Sequence, residues 1–324
     1  MSERRTPVPA PRPSRRSALL LWVIAAAGLI LVSALSYPLG RALSEMDVQL
    51  QSLILNLCYY LPFVALPAFL LARREEGMFA AYRPGSISVF GTLGVISLAL
   101  LGLFFTTDLT ALWSILLEAL GFNVRGASLP MPASTPGLML CVLYVAVLPA
   151  VCEEFLFRGA ILSAFERQGT RRAILASAVL FALLHGSLAG LPAHLLLGLI
   201  LGWLVVCCDS IYAGLIYHTT HNAASIILQF AVSRGASETG EETARMLDVV
   251  GGLSGVSQLA LELALMGVMM FFTLRIFRTA ARLRGVSFAP SRRESLRLSE
   301  RILLVVGILL AAVLYGSDIY SMLF

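Results

Sequence analysis

A chain of 324 residues in which 58% are hydrophobic and only 13% charged is too apolar for a soluble globular protein, where about half and about a quarter are usual. Mean hydropathy is +0.85, and most apolar residues fall into runs of about 18 or more, the length a helix needs to cross a bilayer. The net charge of +5 points to no nucleic-acid partner, because the excess arginine lies in the connections between those runs, where it orients a membrane protein.

The five cysteines, Cys58, Cys141, Cys152, Cys207 and Cys208, lie in or at the ends of apolar runs without zinc-ligand spacing. Neither a disulfide framework nor a thiolate metal site is indicated.

Met1–Arg16 is rich in Pro and Arg and reads as a disordered basic tail, with the boundary set at residue 17. The first apolar run is Leu19–Ser36. A cleaved signal peptide shares its basic start, but the run is long for that role and so is the tail before it, which favours a retained anchor. Further runs are Ser52–Ala72, Ile87–Thr106, Gly137–Phe157, Ala173–Gly190, His194–Cys208, Ile211–Phe230, Ser257–Phe277 and Ile302–Leu323. The predicted fold is all-α, a polytopic membrane bundle of about nine transmembrane helices. Within Thr107–Pro136, Leu112–Leu120 is predicted to lie as a separate amphipathic helix on the outer face.

The distribution of arginine supports this count. With the N-terminus in the cytoplasm, strict alternation places Arg73, Arg74 and Arg83, then Arg158, Arg167, Arg171 and Arg172, then Arg275 through Arg301 on one side. The acidic loop with Glu238, Glu241, Glu242 and Asp248 falls on the other. The expectation is a multi-pass inner-membrane protein with its N-terminus inside and its C-terminus outside. It divides into N-terminal helices (18–136), a central helical core (137–230), and C-terminal helices with a basic connector (231–324).

Ionisable residues at membrane depth are costly and mark function by default. Here they cluster: Glu153, Glu154 and Arg158, then His185, then His218, His221 and Asn222. The apolar pattern past Phe157 extends the fourth helix to about Glu166, which puts Glu154 roughly 18 Å from that end. Similar counts put His185 about 21 Å and His218 about 14 Å from their own basic ends. The three are predicted to meet in a cavity open to the basic, cytoplasmic side. Pro149 is predicted to kink the helix and free a carbonyl one turn before the carboxylates.

Spacing sorts the roles. Glu154 and Arg158 are four apart, in the favourable order for an ion pair. Glu153 points about 100° away and is left free to act as a base. His218 and Asn222 share a face, as do Phe181 and His185. A buried carboxylate near a neutral imidazole can hold and deprotonate water, and a second His with an Asn amide offers donors to an oxyanion. These parts suit amide hydrolysis.

Glu153-Glu154-x-x-x-Arg158, Phe181-x-x-x-His185 and His218-x-x-x-Asn222 together resemble the three motifs of the CPBP group, the CAAX prenyl endopeptidase and bacteriocin-processing membrane proteases. The resemblance covers about Met139–Phe230. It implies an intramembrane endopeptidase acting on a membrane-associated protein or peptide. In it Glu153 and His185 activate water, His218 and Asn222 stabilise the oxyanion, and Glu154–Arg158 braces the site. It implies no certain cofactor and leaves a divalent metal open. His221 is extra to the pattern, and His194, at a helix start, is expected to be interfacial; neither is given a role.

Other chemistries fit less well. No His-Glu-x-x-His is present for zinc proteolysis. Gly252-Leu253-Ser254-Gly255 spells a rhomboid-like serine motif, but no His follows position 221. Asp209 and Asp318 sit at run ends, unlike an aspartyl pair. The alternative from another class is a non-enzymatic scaffold or immunity protein that retains the fold.

Overall fold

A computed structural model of the chain describes residues 12–74, 83–124, 131–235, 246–286, 288–290 and 294–324. Each apolar run forms a helix. In chain order these are α1 (Arg15–Ala42), α2 (Val48–Arg74), α3 (Val89–Ala119), α4 (Thr135–Gln168), α5 (Thr170–His185), α6 (Leu191–Cys208), α7 (Ile211–Gly235), α8 (Gly252–Leu283) and α9 (Leu298–Leu323). A single turn, Met246–Val249, precedes α8. Among the described residues the extended structure amounts to one isolated bridge, Pro84 to Ser210.

Local chemistry sets the ends. Ser14, Asp47, Ser88 and Ser134 accept first-turn amides as N-caps of α1, α2, α3 and α4, satisfying donors that a helix start leaves open. Gly169 (φ 103°) separates α4 from α5, and Gly186 (φ 58°) ends α5. Both conformations suit glycine, which has no Cβ.

Seven of the helices, all but α5 and α7, are long and apolar enough to cross a membrane. The α5 helix has 16 residues, and α7 places His218, His221 and Asn222 among its apolar positions. Large apolar side chains such as Phe271, Phe272 and Ile276 on α8 and Ile302 and Leu309 on α9 face outward, as lipid contact requires. The chain is an all-α, multi-pass membrane protein.

The core packs α5 against α6, α6 against α7 and α7 against α3, with α8 outside α3 and α9 outside α1. Trp22 of α1 donates its indole N–H to Leu180 O of α5 at 3.0 Å and lies where any side chain at Gly307 of α9 would go.

One end of the bundle gathers the charges. Arg12 and Arg83 both pair with Glu166, Arg83 also reaches Asp209, and Arg15 reaches Glu294 and Glu300. Thr170 Oγ1 accepts the Ala289 amide, and Arg284 donates to Cys207 O. The N-terminus of α1 and the connections α2–α3, α4–α5, α6–α7 and α8–α9 therefore meet in one layer, called the basic end below. At the other end Trp113 donates to Leu188 O, and Asp318 accepts the Leu188 amide.

Two expectations need correction. The α3 helix runs unbroken through Leu112 to Ala119, so no separate outer helix forms. The hydroxyls of Thr106 and Thr107 bond back to the Leu103 carbonyl within the helix, and no Gly or Pro interrupts residues 106–119. The first helix also begins inside the span expected to be a tail. Arg12 is ion-paired and α1 begins at Arg15, while residues 1–11 lie outside the described residues. So do Glu238, Glu241 and Glu242 of the acidic loop.

Candidate active site

The α4 helix carries the site and is irregular on both sides of it. Wide π turns occupy Val142–Val147 and Phe155–Leu162, flanking Leu148–Glu154. Pro149 explains the first, because it has no N–H to give and its ring crowds the carbonyl four residues back. That carbonyl, Val145 O, accepts from Asn222 Nδ2 of α7 at 3.4 Å. The helix then continues to Gln168 through a closing turn at Glu166, so Glu153 and Glu154 lie deep within it.

Glu154 is fully buried and holds two partners on one oxygen. Its Oε1 accepts from Arg158 Nη1 at 2.8 Å and lies 3.1 Å from His218 Nδ1. Arg158 also donates to Gly198 O at 3.2 Å and lies 4.7 Å from the centroid of the Phe181 ring. The pairing expected from spacing is present, and Glu154 does more than brace. Because a carboxylate only accepts, His218 Nδ1 carries a proton, and in the neutral ring Nε2 presents its lone pair. That nitrogen is 3.9 Å from Glu153 Oε2.

Glu153 has a different setting. Its Oε1 accepts from the Tyr60 hydroxyl at 2.7 Å, and Oε2 makes no hydrogen bond among the described residues. His185 Nδ1 lies 2.8 Å from Phe181 O. A carbonyl only accepts, so this nitrogen too is protonated and Nε2 is the acceptor. Phe181 packs edge-on to Phe157 and His218, which seats both histidines on one aromatic floor.

His185 was expected inside its helix and is instead the last residue of α5, because Gly186 turns left-handed immediately after it. Its ring stacks on His194 of α6, centroids 4.0 Å apart. His194 was expected to be interfacial and lines the same cavity as the motif residues. His221 bridges Thr106 Oγ1 (3.0 Å from Nε2) and Asn222 Oδ1 (3.3 Å from Nδ1). All four histidines of the chain thus surround one space.

That space is a cavity of about 490 Å³ bordered by α2 through α7. It does not open toward the basic end as expected. Lining residues climb from Glu153 and His218 through Tyr144 and Asn222 to Ser52 and Gln229, which are roughly 33 and 27 Å from the basic ends of their helices. On the other side of the site, Ile161, Leu162, Ala173, Leu201, Leu204 and Val205 are buried and pack the bundle shut. Counting depth along helices gave the level of the side chains. It did not give which half of the bundle was filled.

Sequence reasoning missed Tyr60, a tyrosine in an apolar run with no motif to mark it. It also missed Gly214, where a Cβ would meet Glu154 Oε2; only the geometry shows that close approach. Among the described residues, no three or more His, Cys, Asp or Glu side chains converge in a set that can hold a metal ion.

Residues 135–224 match the family model of the type II CAAX prenyl endopeptidase Rce1-like proteins, and the seven residues of the three motifs, Phe181 included, all fall inside that span. No curated protein and no solved structure matches the chain. Through the helices that carry Glu153, Glu154, Arg158, His185, His218 and Asn222, residues 135–224 of the chain are similar to this family of CAAX-type prenyl endopeptidases.

Proposed function

We propose that this protein is an intramembrane endopeptidase that hydrolyses a peptide bond of a membrane-associated protein or peptide. The observation that carries the reading is His218 standing between two carboxylates, with Nδ1 3.1 Å from Glu154 Oε1 and Nε2 3.9 Å from Glu153 Oε2.

Glu153, held by Tyr60 through one oxygen, uses the other as general base toward a water in the cavity. The tautomer of His185 gives that water a second acceptor. As hydroxide adds to the scissile carbonyl, the charge growing on its oxygen meets an amide N–H of Asn222, whose orientation is set by Val145 O and His221. The proton taken by Glu153 passes to His218 Nε2, and from there to the leaving amine. His218, with Nδ1 toward Glu154 and Nε2 toward Glu153, therefore acts as a proton carrier, which refines the oxyanion role implied by resemblance. Glu154 and Arg158 fix its ring.

In this reading the basic end faces the cytoplasm, since arginine-rich connections are retained there, and the lipid bilayer is the protein's solvent. The test is to replace Glu153 with Gln and His185 with Ala and follow the membrane proteome for a protein that accumulates uncut. Loss of processing in both variants is expected. Unchanged processing in both overturns the reading and leaves a non-enzymatic scaffold.

A further inference from the structure

We propose that the cavity receives its substrate from the face opposite the basic end, so that the substrate is the exported, non-cytoplasmic part of a membrane-associated polypeptide. The substrate half of this inference rests on the protease reading; the access half does not.

Three observations carry it. First, the lining residues lie at the level of Glu153 or beyond it, away from the basic end. Tyr60, Asn56 and Ser52 rise along α2 in that direction, and Asn222, Ser225 and Gln229 rise along α7. Second, the opposite route is closed by the buried apolar side chains of α4, α5 and α6 between the site and the basic end. Third, arginines of three chain segments, Arg12 and Arg15, Arg83 and Arg284, converge at that closed end on Glu166, Asp209, Glu294 and the Cys207 carbonyl. Basic connections stay in the cytoplasm, so the open end is the exported one.

The chemistry of the mouth agrees. Ser52, Asn56, Asn222, Ser225 and Gln229 offer hydroxyls and amides, and among the described residues no Lys or Arg lines the cavity. Such a surface pairs with the N–H and C=O groups of an extended peptide. Gln229, at the outer limit, is exposed. A polypeptide already moved across the membrane can lower its backbone past these groups to Glu153, whereas a tail made and kept in the cytoplasm meets packed helices.

The experiment uses the full chain in sealed membrane vesicles of both orientations. Cys58, the exposed native thiol, is replaced by Ser, and the variant receives Gln229→Cys at the mouth or Arg171→Cys at the basic end, where Arg171 is exposed. A membrane-impermeant maleimide is then added. Labelling of Gln229→Cys in right-side-out vesicles with loss of that label in inside-out vesicles is expected, with the reverse for Arg171→Cys. Labelling of Gln229→Cys from the inside-out face alone, or of both positions from one face, overturns the proposal, as does failure of Gln229→Cys to react from the right-side-out face. The result is independent of catalysis. Expected labelling combined with unchanged processing in Glu153→Gln keeps the access route and removes the protease.

Discussion

Tyr60 of α2 donates its hydroxyl proton to Glu153 Oε1 across 2.7 Å, joining a helix outside the family-matched segment to the proposed base. A hydrogen bond to an ionised carboxylate is worth about 1.5–3 kcal/mol. Tyr60→Phe keeps the ring and removes that donor. Processing of the substrate that accumulates in the Glu153→Gln strain is expected to slow about 10- to 100-fold, with the protein present at normal level in the membrane.

Separating stability from chemistry requires the Glu154–Arg158 pair. Glu154→Gln leaves a fully buried guanidinium without its counter-charge, and breaking one side of such a pair costs about 3–5 kcal/mol. Replacing both residues with Met is expected to recover much of the thermal stability, because neither charge is then stranded. Activity is expected to stay lost, since His218 Nδ1 no longer has its acceptor. Unfolding in detergent, followed by circular dichroism beside the processing assay, checks both halves.

Gly214→Ala would place a methyl group against Glu154 Oε2 and the Val205 side chain. Overpacking of this kind costs about 1–3 kcal/mol, and here it also pushes on the carboxylate that aims His218. A fall in processing larger than the fall in stability is expected. Gly121→Ala, with nothing within 4 Å of the new methyl, is the control for activity, although its positive φ of 95° makes some loss of stability expected there.

His194 touches the site through the ring of His185. His194→Ala removes that stack and is expected to lower kcat several-fold with little change in KM, because a freed His185 samples other rotamers. His194→Phe restores a stacking ring without a titrating nitrogen and is expected to recover most of the rate. A metal ligand or proton donor at this position would not be rescued by Phe, so the pair of variants checks the positioning role.

The sequence shows some of these relationships and hides others for physical reasons. Long apolar runs have one solution in a bilayer, so each became a helix, although α3 runs on past Thr106 and α5 stops at His185. The Glu154–Arg158 pairing follows from four-residue spacing along a single helix, and the carbonyl freed by Pro149 follows from proline geometry. The Tyr60–Glu153 contact joins residues 93 positions apart, and no periodicity reports which helices become neighbours. The direction of the cavity depends on how tightly α4, α5 and α6 interlock below the carboxylates. That is a property of side-chain fit, which apolar composition does not encode. The end of α5 at His185 turned on a single glycine, whose left-handed conformation is plain in three dimensions and optional in one.

The two π turns of α4 give the helix that carries the Glu153–Glu154 pair three phases. A regular helix fixes the bearing of every residue once one is fixed, about 100° per position. The wide turns at Val142–Val147 and Phe155–Leu162 break that lock, so Leu148–Glu154 is set at its own rotation between two ends that pack independently. Removing one residue from either wide turn would restore regular winding there and change the rotation of Leu148–Glu154 relative to one end. It would swing Glu153 off the cavity like a misaligned gear tooth, which makes single-residue deletions here more damaging than most substitutions.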